Sequence, residues 1–484
     1  MTIARNAESV SEVRDTPAPP GVLRPNVPLG VVVAMSLLAQ FMVVLDSTIV
    51  TVALPRMRAG LGLSTNQQQW VLSGYLITLG GFLLLAARAG DVFGRKRVFL
   101  FGAAVFTAAS LAAGLAADPA MLLTARIIQG LGAAALAPTS LSLITVTHTD
   151  ERLRHRAIAL WSIIGGAAGA VGLVLGGVLT AELSWRWVMF VNIPLGLALL
   201  AAALLSLQSP PADTPRTRLD LPGALSITLG MGALTYGLSQ ASTDGWRSPS
   251  VLAALIAAAV LTAGFAVVEV RSSHPLIPLA LFRLRGLRIG NLLMFCMAVN
   301  MNAALFFLSL YLQEVIGYSA LRTGMAMLPM TVVLVVGGLV ARQLLPVVGR
   351  RILLVVGGLI SAGGIAWLVE LPTYPAYTAH ILGPALVTGV GFSLMFPPIS
   401  LSATIGVDPE DAGAAAGLLN TARQIGGAIG LAVLVAVAAT ATAHDVHRAP
   451  YLAALVHGYH VAFLVGAGVM LVAALAALAL PDET

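Results

Sequence analysis

Asp46 lies inside the apolar run 29–54, in the string Leu45-Asp46-Ser47-Thr48-Ile49-Val50 that leads to Pro55. A carboxylate at that depth is costly in hydrocarbon, so it needs a partner or a task. It stands about nine residues before the end of its run, roughly 13 Å deep at 1.5 Å rise per residue. Arg126 lies about six residues into the run 120–146, which enters from the same side, so it is roughly 9 Å deep. Similar depth allows the two to pair in at least one state. Burial penalises a charged carboxylate and a neighbouring guanidinium favours it. A pair that forms and separates would therefore take up and release a proton in each cycle. Three roles stay open for Asp46: proton exchange, a static ion pair that fixes the helices, and contact with a cationic substrate.

Asn420, Arg423 and Gln424 stand at i, i+3 and i+4, on one helix face. Such a stripe inside an apolar run faces either a cavity or a partner helix. Trp70, Tyr75, Asn300, Phe306 and Tyr311 could line an amphipathic binding site, with core packing as the other reading of each. His457 and His460 are one turn apart at the edge of a run, where interface residues are expected and no metal site is. Cys296, the single cysteine, lies in an apolar run and reads as a small buried hydrophobe.

The elements that position these residues are membrane spans. The chain is 58% hydrophobic and 10% charged, whereas soluble domains carry about 25% charged residues. Apolar runs of about 20 residues, long enough to cross the hydrocarbon core, recur almost end to end. They fall at 29–54, 69–88, 98–117, 120–146, 157–181 and 187–207, then at 221–240 and 250–269. The last group is 288–312, 324–345, 351–371, 377–402, 412–440 and 457–480. The count is six, two, six.

Charge orients those runs. Of the 27 basic residues, 17 fall in alternate loops that include Arg95-Lys96-Arg97 and Arg350-Arg351, six fall in the opposite loops, and four lie within runs. Positive-inside sorting then puts both termini in the cytoplasm. The same rule accounts for the net charge of +6 without nucleic acid, since no basic run exceeds three residues. Residues 1–28 mix both charge signs with five prolines and read as a disordered cytoplasmic tail, not a signal peptide. Lys96 is the only lysine and does not end a glycine-rich Gly-Lys-Ser/Thr loop, which excludes an ATPase of that kind.

Two features suggest internal repetition and motion. Gly94-Arg95-Lys96-Arg97 after the second run is echoed by Gly349-Arg350-Arg351 in the last group, with Pro346 where the first copy has Asp91. Repeats of this kind build transporters that rock about a midplane site. Glycines cluster within runs, as at Gly169, Gly172, Gly176 and Gly177, where small residues allow close helix contact or a sliding surface.

Taken together these motifs resemble the fourteen-span drug:proton antiporter branch of the major facilitator superfamily. The resemblance runs from about residue 29 to the end. It is carried by Leu45-Asp46-Ser47-Thr48-Ile49-Val50 to Pro55, by Gly90-Asp91 with Gly94-Arg95-Lys96, and by Leu122, Arg126, Gln129, Gly130 and Gly132. Trp185-Arg186-Trp187 to Asn192-Ile193-Pro194-Leu195-Gly196, Tyr311-Leu312-Gln313 and Asn420 to Gly427 add to it. Ala87 stands where that family's loop motif begins with glycine, and Leu173 stands where its fifth-span motif has proline.

The resemblance implies an all-α polytopic fold of two six-helix bundles plus two additional central helices. The expected division is a tail at 1–28, an N-terminal bundle at 29–207, a linker with two extra spans at 208–287 and a C-terminal bundle at 288–484. It implies proton-coupled export of small lipophilic or cationic drugs from the cell membrane by alternating access. Asp46 would carry the proton, Arg126 would modulate it, and Asp91, Gly94, Arg95 and Lys96 would form a cytoplasmic gate beside the start of the thirteenth span. No cofactor is expected beyond the proton, and the partners are the substrate, protons and lipid, with no nucleic acid and no obligate protein partner. A carrier for an endogenous metabolite or natural product is the alternative. A non-transporting membrane sensor is the rival from a different class, and it would need a signalling domain.

Overall fold

The computed structural model describes residues 29–147, 150–207, 220–272, 279–373, 377–408, 411–446 and 449–480. The expected tail at 1–28 lies outside the described residues, as do residues 208–219 of the expected linker at 208–287. Among those described, fourteen helices are long and apolar enough to cross a membrane. In chain order they are Gly30–Leu61, Thr65–Phe93, Arg95–Gly114, Pro119–Thr147, Arg152–Glu182, Trp187–Ser206, Leu221–Ala241 and Pro249–Arg271. The last six are Arg285–Val315, Ala320–Val348, Arg350–Glu370, Thr378–Ser402, Ala412–Asp445 and Tyr451–Ala477. They are called the first to fourteenth spans below.

Local chemistry sets several boundaries. Ser64 and Gln67 form a reciprocal capping box that starts the second span, and the side chains of Asp150 and Ser319 cap the fifth and tenth. The first span was expected to end near residue 54, but its helix runs through Pro55 to Leu61. A proline removes one backbone donor, and a packed membrane helix tolerates that loss. The turn comes at Gly62, whose φ of 67° suits glycine.

The loop echo is structural. Gly94 (φ 90°) and Gly349 (φ 83°) both turn the chain between antiparallel spans in the left-handed region. Two residues later, each copy sends a cation to the end of its bundle's last helix. Lys96 donates to the carbonyls of Leu204, at 3.4 Å, and Leu207, and Arg351 donates to the carbonyl of Leu478. A cation at a helix C-terminus satisfies orphan carbonyls and complements the dipole. The end of the molecule that carries both loops is the basic end, and the other is the far end.

The packing repeats as well. In the first bundle the first span packs on the fourth, fifth and sixth, the third on the fourth and sixth, and the second on the fourth. Adding eight to every span number gives the packing of the last six spans. The bundles meet where the second span touches the thirteenth and the fifth touches the tenth. The inserted seventh span lies against the second and thirteenth, and the eighth packs on the seventh.

The fifth–tenth contact is close because glycine permits it. A methyl group at Gly177 would lie 2.7 Å from Leu321 Cα, and one at Gly324 would lie 2.2 Å from the Leu173 carbonyl oxygen. These approaches lie toward the far end, whereas Ser162, Ile163, Val336, Leu339, Arg342 and Gln343 in the basic halves of the same helices are exposed. Far-end closure is completed between the first and ninth spans. Ser309 Oγ donates to the Thr51 carbonyl at 3.0 Å, Gln313 Nε2 donates to the Val52 carbonyl at 3.0 Å, and Arg58 lies 3.5 Å from Glu314.

Candidate functional site

Four spans converge on Asp46, whose side chain is fully buried. Gly130 lets the fourth span close on the second, since a methyl there would lie 2.5 Å from the Tyr75 carbonyl oxygen. That approach carries Arg126 inward, where its Nη1 donates to Asp46 Oδ2 at 2.6 Å. One turn further along, Gln129 accepts from Arg126 Nη1 at 2.7 Å and donates to Asp46 Oδ1 at 2.8 Å. Its amide also reaches Ser110 Oγ of the third span at 2.7 Å. From the sixth span, Asn192 Nδ2 donates to Asp46 Oδ1 at 2.9 Å. The carboxylate therefore accepts from one guanidinium and two amides.

Arg126 is fixed on its other sides. Its Nε donates to the Val71 carbonyl at 3.0 Å, and its guanidinium carbon lies 4.5 Å from the centre of the Tyr75 ring. Tyr75 is itself held by a hydrogen bond to the Val43 carbonyl. A fully desolvated ion pair of this geometry is held by charge-assisted hydrogen bonds, and losing one partner would leave an uncompensated charge. Arg126 Nη2 and Asn192 Oδ1 have no partner among the described residues. The cluster is a buried acid that accepts three hydrogen bonds from two other helices, the fourth and sixth spans.

Of the other expected site residues, the structure brings some together and separates others. Asp91 is exposed and pairs with Arg95 at 3.1 Å within its own motif, while Gly94 makes the turn and Lys96 caps the sixth span. In the glycine group, methyls at Gly172 and Gly176 would meet the first span at Thr48 and at the Ile49 carbonyl, and one at Gly177 would meet the tenth span. Gly169 has more room, with Thr331 and Thr48 at 3.9 Å. Leu173 is buried in an uninterrupted helix.

Asn420 and Arg423 form a unit. Asn420 Oδ1 accepts from Arg423 Nε at 3.1 Å and from Nη2 at 2.7 Å, and both side chains remain partly accessible. Gln424 turns instead to the second span, packing at Gly80. Trp70 is partly buried at the edge of the first bundle's core. Asn300 is bonded to the Cys296 carbonyl and faces the fourteenth span at Gly466. Phe306 is buried and packs edge-on against Phe307, and Tyr311 sits in a π-helical turn with its hydroxyl on the Pro372 carbonyl. These last three pack within the second bundle, apart from the Asp46 cluster.

Asn192, Gln129, Gln313 and Gly324 were not among the expected site residues. Gln129 stands three residues after Arg126, a spacing that puts both on one face and could have identified it. Asn192 had no such local signal, because its partner lies 146 positions away.

Comparison with known proteins agrees with this architecture. A cephamycin export protein of Amycolatopsis lactamdurans is 42% identical over 84% of both chains. A puromycin resistance protein of Streptomyces alboniger is 40% identical over 94% of this chain and 91% of its own. The crystal structure of a D-xylose-proton symporter superposes with a TM-score of 0.66 at 14% identity, covering 94% of this chain and 98% of that one. The family model described as Major Facilitator Superfamily matches residues 36–431, and on these grounds the chain belongs to that superfamily of transporters and is not an enzyme.

Proposed function

We propose that this chain is a proton-coupled antiporter that exports antibiotic-like small molecules across the cell membrane by alternating access. The observation that carries the reading is the buried Asp46–Arg126 pair at 2.6 Å, joined by amides from two further contacts on the same carboxylate. Protonating Asp46 removes its attraction to Arg126 and frees donors on the fourth and sixth spans. The helices of the first bundle can then repack, so proton occupancy is coupled to shape. Resemblance to export and resistance proteins supports the direction and the kind of cargo.

With the basic end in the cytoplasm, as the loop charges suggest, the far end is closed and the cleft faces inward. Far-end closure would then break as the fifth and tenth spans part, and the basic end would close in exchange. Asp46 would carry the proton and Arg126 would set when it leaves.

The test uses everted membrane vesicles energised to acidify their interior, with a pH-sensitive dye trapped inside. Adding cephamycin-type compounds should release protons from vesicles containing the wild type and not from those containing Asp46→Asn. Unchanged active transport by the Asn variant would overturn the reading.

A further inference from the structure

Arg423, a cation between the bundles, forms no salt bridge among the described residues. Arg423 lies 11 residues into the thirteenth span, about 17 Å from its basic end by helical rise, near the middle of a hydrocarbon core about 30 Å thick. Its helix face also carries Gly427, where a methyl would meet Asn302 of the ninth span at 2.6 Å and Leu76 of the second at 3.5 Å. Arg423 and Tyr75, which supports Arg126, are within electrostatic reach of each other. The guanidinium therefore points between the bundles, not toward lipid.

The neighbouring acids are committed elsewhere. Asp46 is taken by Arg126, Gln129 and Asn192. Glu314 is at the far end against Arg58, and Glu269 is on the eighth span, which packs on the seventh. Among the described residues Arg423 forms no salt bridge. Asn420 accepts from Nε and Nη2 and fixes the plane of the group, which leaves Nη1 open. A charged side chain at mid-membrane depth is kept for a task, and a guanidinium fork of fixed plane is suited to a carboxylate.

We propose that Arg423, oriented by Asn420, is the anchoring group for the cargo and that the cargo class is an organic carboxylate with an apolar body. This rests on the export reading above and narrows it. Resemblance alone points to lipophilic or cationic cargo, whereas a cation would meet an uncompensated positive charge in this cleft. The neutral Asp46–Arg126 pair does not offset it. Loading a carboxylate neutralises the cleft, so the loaded carrier presents no buried net charge when the bundles rock.

The experiment measures proton-driven uptake into everted vesicles of three matched probes: benzylpenicillin as the carboxylate, its methyl ester as the neutral form, and puromycin as the amine. Wild type should take up benzylpenicillin at least tenfold faster than the ester. Arg423→Gln should lose that preference, and Arg423→Lys, which keeps the charge and loses the fork, should recover part of it. Thermal unfolding of the purified variants, unchanged from wild type, separates loss of the anchor from loss of the fold. Proton-driven uptake of the ester or of puromycin that matches or exceeds benzylpenicillin overturns the carboxylate assignment and leaves the export reading standing. Absence of proton-driven uptake for all three overturns both. Parallel runs in chloride and in gluconate separate an inorganic ion from the cargo: uptake that requires chloride and ignores the probe's carboxylate overturns the assignment.

Discussion

Asn192 donates to the same carboxylate oxygen of Asp46 that Gln129 reaches, at 2.9 Å, from a helix 146 residues further along the chain. The buried carboxylate is thus tied to the sixth span as well as to the fourth. Replacing Asn192 with Leu removes a charge-assisted donor from a buried carboxylate and should cost about 1–3 kcal/mol of stability. Thermal unfolding in detergent measures it. A variant as stable as wild type would mean that the sixth span does not hold Asp46.

Gly177 and Gly324 set how closely the fifth and tenth spans approach. Alanine at either would drive a methyl into backbone, at 2.7 Å from Leu321 Cα or 2.2 Å from the Leu173 oxygen. Both variants should hold the far end partly open, seen as reduced cross-linking between cysteines introduced there across the two helices. Gly169→Ala, with 3.9 Å of room, should cross-link as wild type does. Equal cross-linking in all three would remove the steric argument.

Far-end closure divides unequally between its polar contacts. The Arg58–Glu314 pair is 3.5 Å apart and partly exposed, so its contribution is small, about 0–1 kcal/mol. Gln313 bonds to Val52 of the other bundle and to Ser309 of its own helix. Gln313→Leu should therefore shift the far end toward open more than Glu314→Gln does, in the same cross-linking assay. The reverse order would assign closure to the ion pair.

Lys96, the one lysine, satisfies carbonyls at the end of the sixth span. Lys96→Met keeps the stem and removes the cation, and should cost about 0.3–1 kcal/mol, with Lys96→Arg recovering most of it. The Arg351→Met change should behave alike, because that residue has the corresponding place at the fourteenth span. A destabilisation confined to one copy would show that the repeat is not matched in energy.

Much of this molecule could be read from its residues, and the division has a physical basis. Span number follows from length and hydropathy, which are local, so all fourteen were legible. The depth of Asp46 and Arg126 follows from helical rise, so their meeting could be anticipated as well. Helix ends were less legible: the first apolar run ends at residue 54, and the packed helix continues through Pro55 to Leu61. Phe306, Tyr311 and Asn300 illustrate a second limit. An aromatic or amide on a span has the same appearance whether it faces a cleft or a neighbouring helix, and here the second bundle claims all three. The junctions at Asn192 and Gly324 depend on which distant helices touch, and no short-range spacing encodes that.

The proposed anchoring of a carboxylate at Arg423 also has an electrical consequence. With one carboxylate leaving for each proton that enters, a turnover of the proposed exchange moves two charges in the sense favoured by an interior-negative membrane. At 100 mV those two charges release about 4.6 kcal/mol. Part of that work comes from the potential acting on the cargo itself. A cell whose pH gradient has collapsed while its potential persists would still drive the carrier forward, and electrodes on a supported membrane would record its turnover as current.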